Sequence, residues 1–146
     1  MRIQTKYLGE MEITQEKILT FPNGLLGFPD NRKFVLMDIP GNAHFKFLQD
    51  IKNSYIAFLV INPWDFFAGY DIELPDKELE KLGIDPYGEN QMDIYSIVTL
   101  EQNFRESTAN LLAPIVISMD SQKGRQFILN DTEYTTKHRL FTEGEE

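Results

Sequence analysis

The chain has 146 residues, no cysteine, two histidines and a formal net charge of −9. A single domain of this length can bury a sizeable core, and the lack of thiols excludes disulfides, thiolate catalysis and cysteine-ligated metal centres. No apolar run nears the roughly 20 residues of a membrane-spanning helix, and the opening Met-Arg-Ile-Gln-Thr-Lys has no apolar signal region, so a cytoplasmic protein with no membrane contact is expected.

Short apolar or alternating runs at residues 17–21, 34–39, 45–51, 56–61, 92–100, 109–119 and 126–130, each bounded by Gly, Pro, Asn or Asp, read as strands. Between the first two lies FPNGLLGFPD, residues 21–30. Here Asn23-Gly24 favours a tight turn, Pro22 and Pro29 fix φ, and Gly27 suits a positive φ or a close backbone approach. Leu25, Leu26 and Phe28 are expected to plug an open end of the fold, the other reading being an exposed apolar contact. Farther on, Trp64 reads as a core residue or an end plug. Tyr70 reads either as core or as an aromatic anchor for a partner.

One helix is expected, in ELPDKELEKLG. Pro75 suits its first position, Asp76 and Glu78 complement its positive N-terminus, Gly83 suits the residue past its end, and Leu79 and Leu82 form one apolar stripe. In MDIYSIVTL both alternating sets are largely apolar, which predicts a strand covered on both faces. In NLLAPIVI, Asn110 can bond its own backbone at the strand start, and Pro114 predicts a bulge, a break or an edge. SMDSQKGRQFIL reads as a hairpin with Gly124 able to take positive φ. The fold expected is mainly β: one small antiparallel barrel-like domain over residues 1–141, with one short covering helix, and residues 142–146 as a frayed acidic tail.

Residues 65–93 hold nine acids against Lys77 and Lys81. Such a field repels phosphate backbones, so direct RNA or DNA binding is disfavoured. It steers a basic protein surface inward, or serves simply as a solvated face. Asp71 and Glu73 share one side of an extended segment and form an acid pair, yet neither His44 nor His138 has a Ser-Asp pattern nearby, and no phosphate loop or metal signature occurs. An enzyme is therefore not expected, nor is a cofactor or metal. The remaining alternative is a barrel that binds a small ligand in its interior.

Taken together, FPNGLLGFPD, FLVINPWDFFAGYDIEL (58–74), NLLAPIVI (110–117) and Gly124-Arg125-Gln126 resemble the FliW family of flagellar assembly factors over residues 1–141 or so. The resemblance implies a non-enzymatic partner switch in the cytoplasm. Such a protein binds flagellin and, once flagellin is secreted, binds the RNA-binding translational repressor CsrA (the carbon storage regulator) at a surface other than its RNA-binding face. Repression of flagellin mRNA is thereby relieved. The candidate contacts are Tyr70, Asp71, Glu73, Asp76 and Glu78, and the structural positions are Gly24, Gly27, Phe28, Asn110 and Pro114.

Overall fold

The computed structural model describes residues 1–88 and 92–142. Glu89 of the acidic segment and residues 143–146 of the expected tail lie outside the described residues. The strands are β1 (Arg2–Gln4), β2 (Glu10–Glu12), β3 (Leu19–Thr20), β4 (Lys33–Ile39), β5 (Asn42–Asp50), β6 (Ala57–Ile61), β7 (Met92–Thr99), β8 (Thr108–Ala109), β9 (Ile115–Ser118), β10 (Lys123–Gln126) and β11 (His138–Arg139). The helix α1 covers Asp76–Lys81.

Seven of these strands close into a ring. The order β7-β6-β5-β4-β3-β10-β9 returns to its start because β9 also pairs with β7. Closure leaves the first half of β7 on β9, through Met92–Ser118 to Tyr95–Ile115 pairs, while Val60 and Ile61 of β6 take Ile97 and Ser96. All ring pairings are antiparallel except one, a single parallel step between Lys123 and Thr20. The seam is parallel because the chain leaves β3 into the opening loop in the direction that β10 also runs.

Period-two alternation decides what each strand buries. Phe34, Leu48, Val60, Ile115 and Ile117 point inward and fill the ring with Leu19, Phe21 and Leu25. The intervening Val35 and Met37 face outward, where Ile3 and Ile13 from the N-terminal segment cover them. Likewise Val116 faces outward between two inward isoleucines and is covered by Leu79 of α1 and its C-cap Leu82, with Ile84 and Phe127. The stripe expected on the helix is thus its buried face. Each such covered aliphatic side chain contributes on the order of 1.5–3 kcal/mol. A ring interior packed with side chains counts against the small-ligand alternative.

Several sequence expectations shift by a few residues, for identifiable reasons. The apolar run 109–119 is split: β8 ends at Ala109 and β9 starts at Ile115. Pro114, which has no N–H to give a ladder, lies fully buried in the gap with its carbonyl accepting from Phe127 N–H (2.9 Å). In the β9–β10 hairpin the positive φ falls on Gln122, at 56°. Gly124 instead lies inside β10, where an added Cβ would stand 2.5 Å from Phe21 Cζ. Its need is close approach, not a turn. The strand expected at 126–130 ends at Gln126. Pro75 is the N-cap rather than the first helical residue, and Gly83 does take positive φ (79°) just past the end.

Candidate functional site

The opening loop divides between inside and outside. Gly24 N–H donates to Phe21 O (2.9 Å), closing a first turn, and Leu25 and Phe28 then exchange backbone bonds of 3.1 and 2.8 Å around a Leu26-Gly27 tip. That tip requires Gly27 at φ 83°, with open space around it. Gly24, at φ 65°, is confined as well: an added Cβ would lie 2.7 Å from the Pro29 carbonyl carbon. Leu25 enters the ring at 3% exposure, as expected of a plug, whereas Leu26 stands outside at 50%. Phe28 sits at the rim with its ring edge-on to Phe58 (5.2 Å). A two-residue tip in tight antiparallel geometry must send neighbouring side chains to opposite faces, so the three hydrophobes cannot all plug the ring.

The outward side of this loop forms one wall of an open groove of about 1230 Å³. A second wall is the extended segment 71–75, and the floor and third wall run through 125–134. Gln126 joins the loop to the floor: its Oε1 accepts from Leu26 N–H (2.9 Å), and its Nε2 donates to Ala113 O (3.0 Å). Tyr134 joins the other two walls, since its hydroxyl accepts from Asp71 N–H (2.8 Å) and its ring packs on Tyr70 at 4.8 Å. Two stretches that the sequence singled out separately, FPNGLLGFPD and Asp71-Ile72-Glu73, thereby line one site.

The candidate contacts do not all belong to it. Asp71 and Glu73 are exposed on the groove wall. Tyr70 takes the core alternative, at 5% exposure, and donates its hydroxyl to Leu111 O (2.7 Å). Burial, with Tyr134 beside it, pushes this phenol well above the ordinary tyrosine range. Asp76 does not line the groove; its carboxylate accepts from Tyr87 OH (2.7 Å), which raises the Tyr87 phenol. Glu78 lines the groove but is engaged by Arg125 and by Lys81 (3.3 Å). The Arg125 hydrogen bond, then that of Lys81, holds its carboxyl below the usual range. Glu78 is a pin between α1 and β10 rather than a free contact. Asn110 acts as expected, its Oδ1 accepting from Leu112 N–H (3.1 Å) and Ala113 N–H (3.0 Å) to shape the turn before Pro114.

Of its two expected positions, core or end plug, Trp64 does not take the core one. It is 38% exposed, its indole N–H donates to Tyr70 O (2.8 Å), and its ring lies against the Tyr70 ring. Asn62 Oδ1 caps the short turn that holds it there. The sequence reading missed the wall at 127–134, including exposed Ile128 and the Tyr134 clamp. The available signal was the polar run Asn130-Asp131-Thr132-Glu133, which follows alternating Phe127 to Leu129 and marks a strand-like segment passing into a loop.

A smaller pocket of about 200 Å³ lies by His44, whose Nδ1 is 3.3 Å from Asp65 Oδ2. Among the described residues no group of three or more His, Cys, Asp or Glu side chains is placed to hold a metal ion, and no helix is long and apolar enough to cross a membrane.

The family model for the FliW protein matches residues 2–140. The chain belongs to the FliW family. Relatives described as flagellar assembly factor FliW include one from Anoxybacillus flavithermus, 42% identical over 98% of this chain and 97% of its own. Another, from Syntrophomonas wolfei, is 40% identical over 100% of this chain and 94% of its own. A crystal structure of the flagellar assembly factor FliW superposes with a TM-score of 0.89 at 40% identity, covering 99% of each chain. The fold and the flagellar assembly role therefore stand together, and the role is regulatory rather than enzymatic.

Proposed function

We propose that this flagellar assembly factor is a cytoplasmic partner switch that binds flagellin and, when flagellin is secreted, binds CsrA and relieves its repression of flagellin mRNA translation. The observation that carries the reading is the groove, which sets free carboxylates and exposed apolar side chains side by side on a protein with a filled interior. Asp71 and Glu73 have no ion-pair partner among the described residues, so they remain available for charge-assisted bonds to a basic protein surface. The net charge of −9 also argues that repression is relieved through the repressor rather than by contact with RNA.

The test is to mix the purified protein separately with flagellin and with CsrA and to follow each mixture by size-exclusion chromatography. One complex with each partner is expected. Complexes with neither would overturn the switch.

A further inference from the structure

The floor of the groove continues past the end of β10 with an unused backbone edge. Phe127 N–H and Leu129 N–H donate to Pro114 O and Leu112 O, both at 2.9 Å, so these alternate residues face the 112–114 segment. Backbone groups of neighbouring strand residues point to opposite edges. Ile128 therefore faces the other way, and neither its N–H nor its C=O has a protein partner among the described residues. The same edge is occupied lower down, where Thr20 N–H donates to Gln122 O (2.8 Å). Beyond Gln126 it is open, because β3 has ended and Leu26 N–H engages the Gln126 side chain instead of the backbone.

Three properties restrict what can lie along this edge. The groove volume, about 1230 Å³, exceeds the roughly 300–1,000 Å³ of small-molecule pockets. Its carboxylates at Asp71, Glu73, Asp131 and Glu133 are in no ion pair among the described residues, while the only guanidinium on the lining, Arg125, is taken by Glu78. Finally, Leu26 and Ile128 offer apolar side chains at the edge, Ile128 at 59% exposure.

We propose that the groove receives an extended, basic segment of a partner protein as an added strand on the Ile128 edge, with lysine or arginine side chains toward the four free carboxylates and alternate apolar side chains against Leu26 and Ile128. This deepens the protein-binding reading above and rests on it. Backbone bonds to Ile128 provide affinity that any extended sequence can share, and the carboxylates select for positive charge. Alternation along the added strand separates the two kinds of side chain.

The probe is a short synthetic peptide of alternating lysine and valine, titrated into the full chain and followed by NMR. Three control peptides accompany it: the same sequence N-methylated at the backbone nitrogens of one edge, the same sequence N-methylated at those of the other edge, and one alternating glutamate and valine. The lysine peptide should bind saturably and slow Ile128 amide exchange by about tenfold or more, as a newly made hydrogen bond does. N-methylation of the pairing edge, or replacement of lysine by glutamate, should abolish both effects. Equal binding by both N-methylated forms, or binding that leaves Ile128 exchange unchanged, would overturn the added strand. Ile128→Pro removes a donor with no internal acceptor and should lose the peptide; should that variant not fold, Asp71→Lys with Glu73→Lys must lose it instead. No peptide binding by a protein that still forms its flagellin and CsrA complexes would sink this inference and leave the switch intact, and peptide binding without either complex would do the reverse.

Discussion

Leu25 and Leu26 are consecutive, equally apolar and oppositely used. The first packs into the ring interior in one hydrophobic cluster with Phe21 and Phe34; the second stands exposed on a groove whose other walls carry free carboxylates. A similar division separates Tyr70 from Asp71, one buried with its hydroxyl on Leu111 O and the other exposed with only its backbone N–H held. The interior and the groove thus share segments and differ in purpose. Interior residues fix the backbone, and their immediate neighbours are left on the surface with chemistry to spare. Substitutions in the two regions should accordingly separate stability from binding.

The largest effect is expected at the turn that aims both leucines. Gly24→Ala meets the Phe28 and Pro29 backbone as well as the strain of positive φ, and should destabilise the protein by about 2–4 kcal/mol. Gly27→Ala has open space and bears only the left-handed conformation, at about 1–2 kcal/mol. Thermal or urea unfolding of the pair distinguishes crowding from φ strain, and equal losses would mean that the Gly24 contacts yield easily. Tyr70→Phe comes next. It leaves the Leu111 carbonyl without its donor and should cost about 1–3 kcal/mol, with partner binding per folded molecule unchanged. A selective loss of binding would move Tyr70 from the core group to the contact group.

The smallest expected effect concerns Glu78. Its carboxyl is held low by Arg125, so the stability that the pair supplies is present above the ordinary glutamate value and is lost as pH falls through the lowered folded value. Arg125→Gln should raise the Glu78 titration toward the ordinary range, although Lys81 remains, and should flatten the acid limb of the stability curve. NMR titration of the side-chain carboxyl reads this directly. An unchanged titration would show that Lys81 alone sets it.

How much of this was legible in the sequence depends on the range of the contacts involved. The strands at 34–39, 56–61 and 92–100, the single helix with its Leu79–Leu82 stripe, and the break at Pro114 are all local patterns, and each stands in the structure close to its expected place. Gly124 was misread because its constraint is the Phe21 ring, about a hundred positions away in the chain, which no local pattern reveals. The acid pair Asp71 and Glu73 was visible as chemistry, but its membership in a groove with Leu26 depends on the Tyr134 clamp and the Gln126 bridge. Both are long-range hydrogen bonds made by side chains of unremarkable local context. Trp64 was read on its size as core or an end plug, whereas the Asn62 cap and its bond to Tyr70 O hold it 38% exposed.

The central claim is that the groove edge binds partners while the interior only supports it, and the Asp71→Lys, Glu73→Lys double variant tests it most directly. Both side chains are exposed and make no ion pair among the described residues, so unfolding free energy should stay within about 0.5 kcal/mol of the unmodified protein. Titration calorimetry with CsrA and with flagellin, at low and moderate salt, is the measurement. The account predicts a folded protein that no longer binds CsrA at moderate salt, with flagellin binding showing whether the two partners share the groove. Full retention of both partners by the folded double variant would contradict it and leave residues 71–75 as a solvated acidic face.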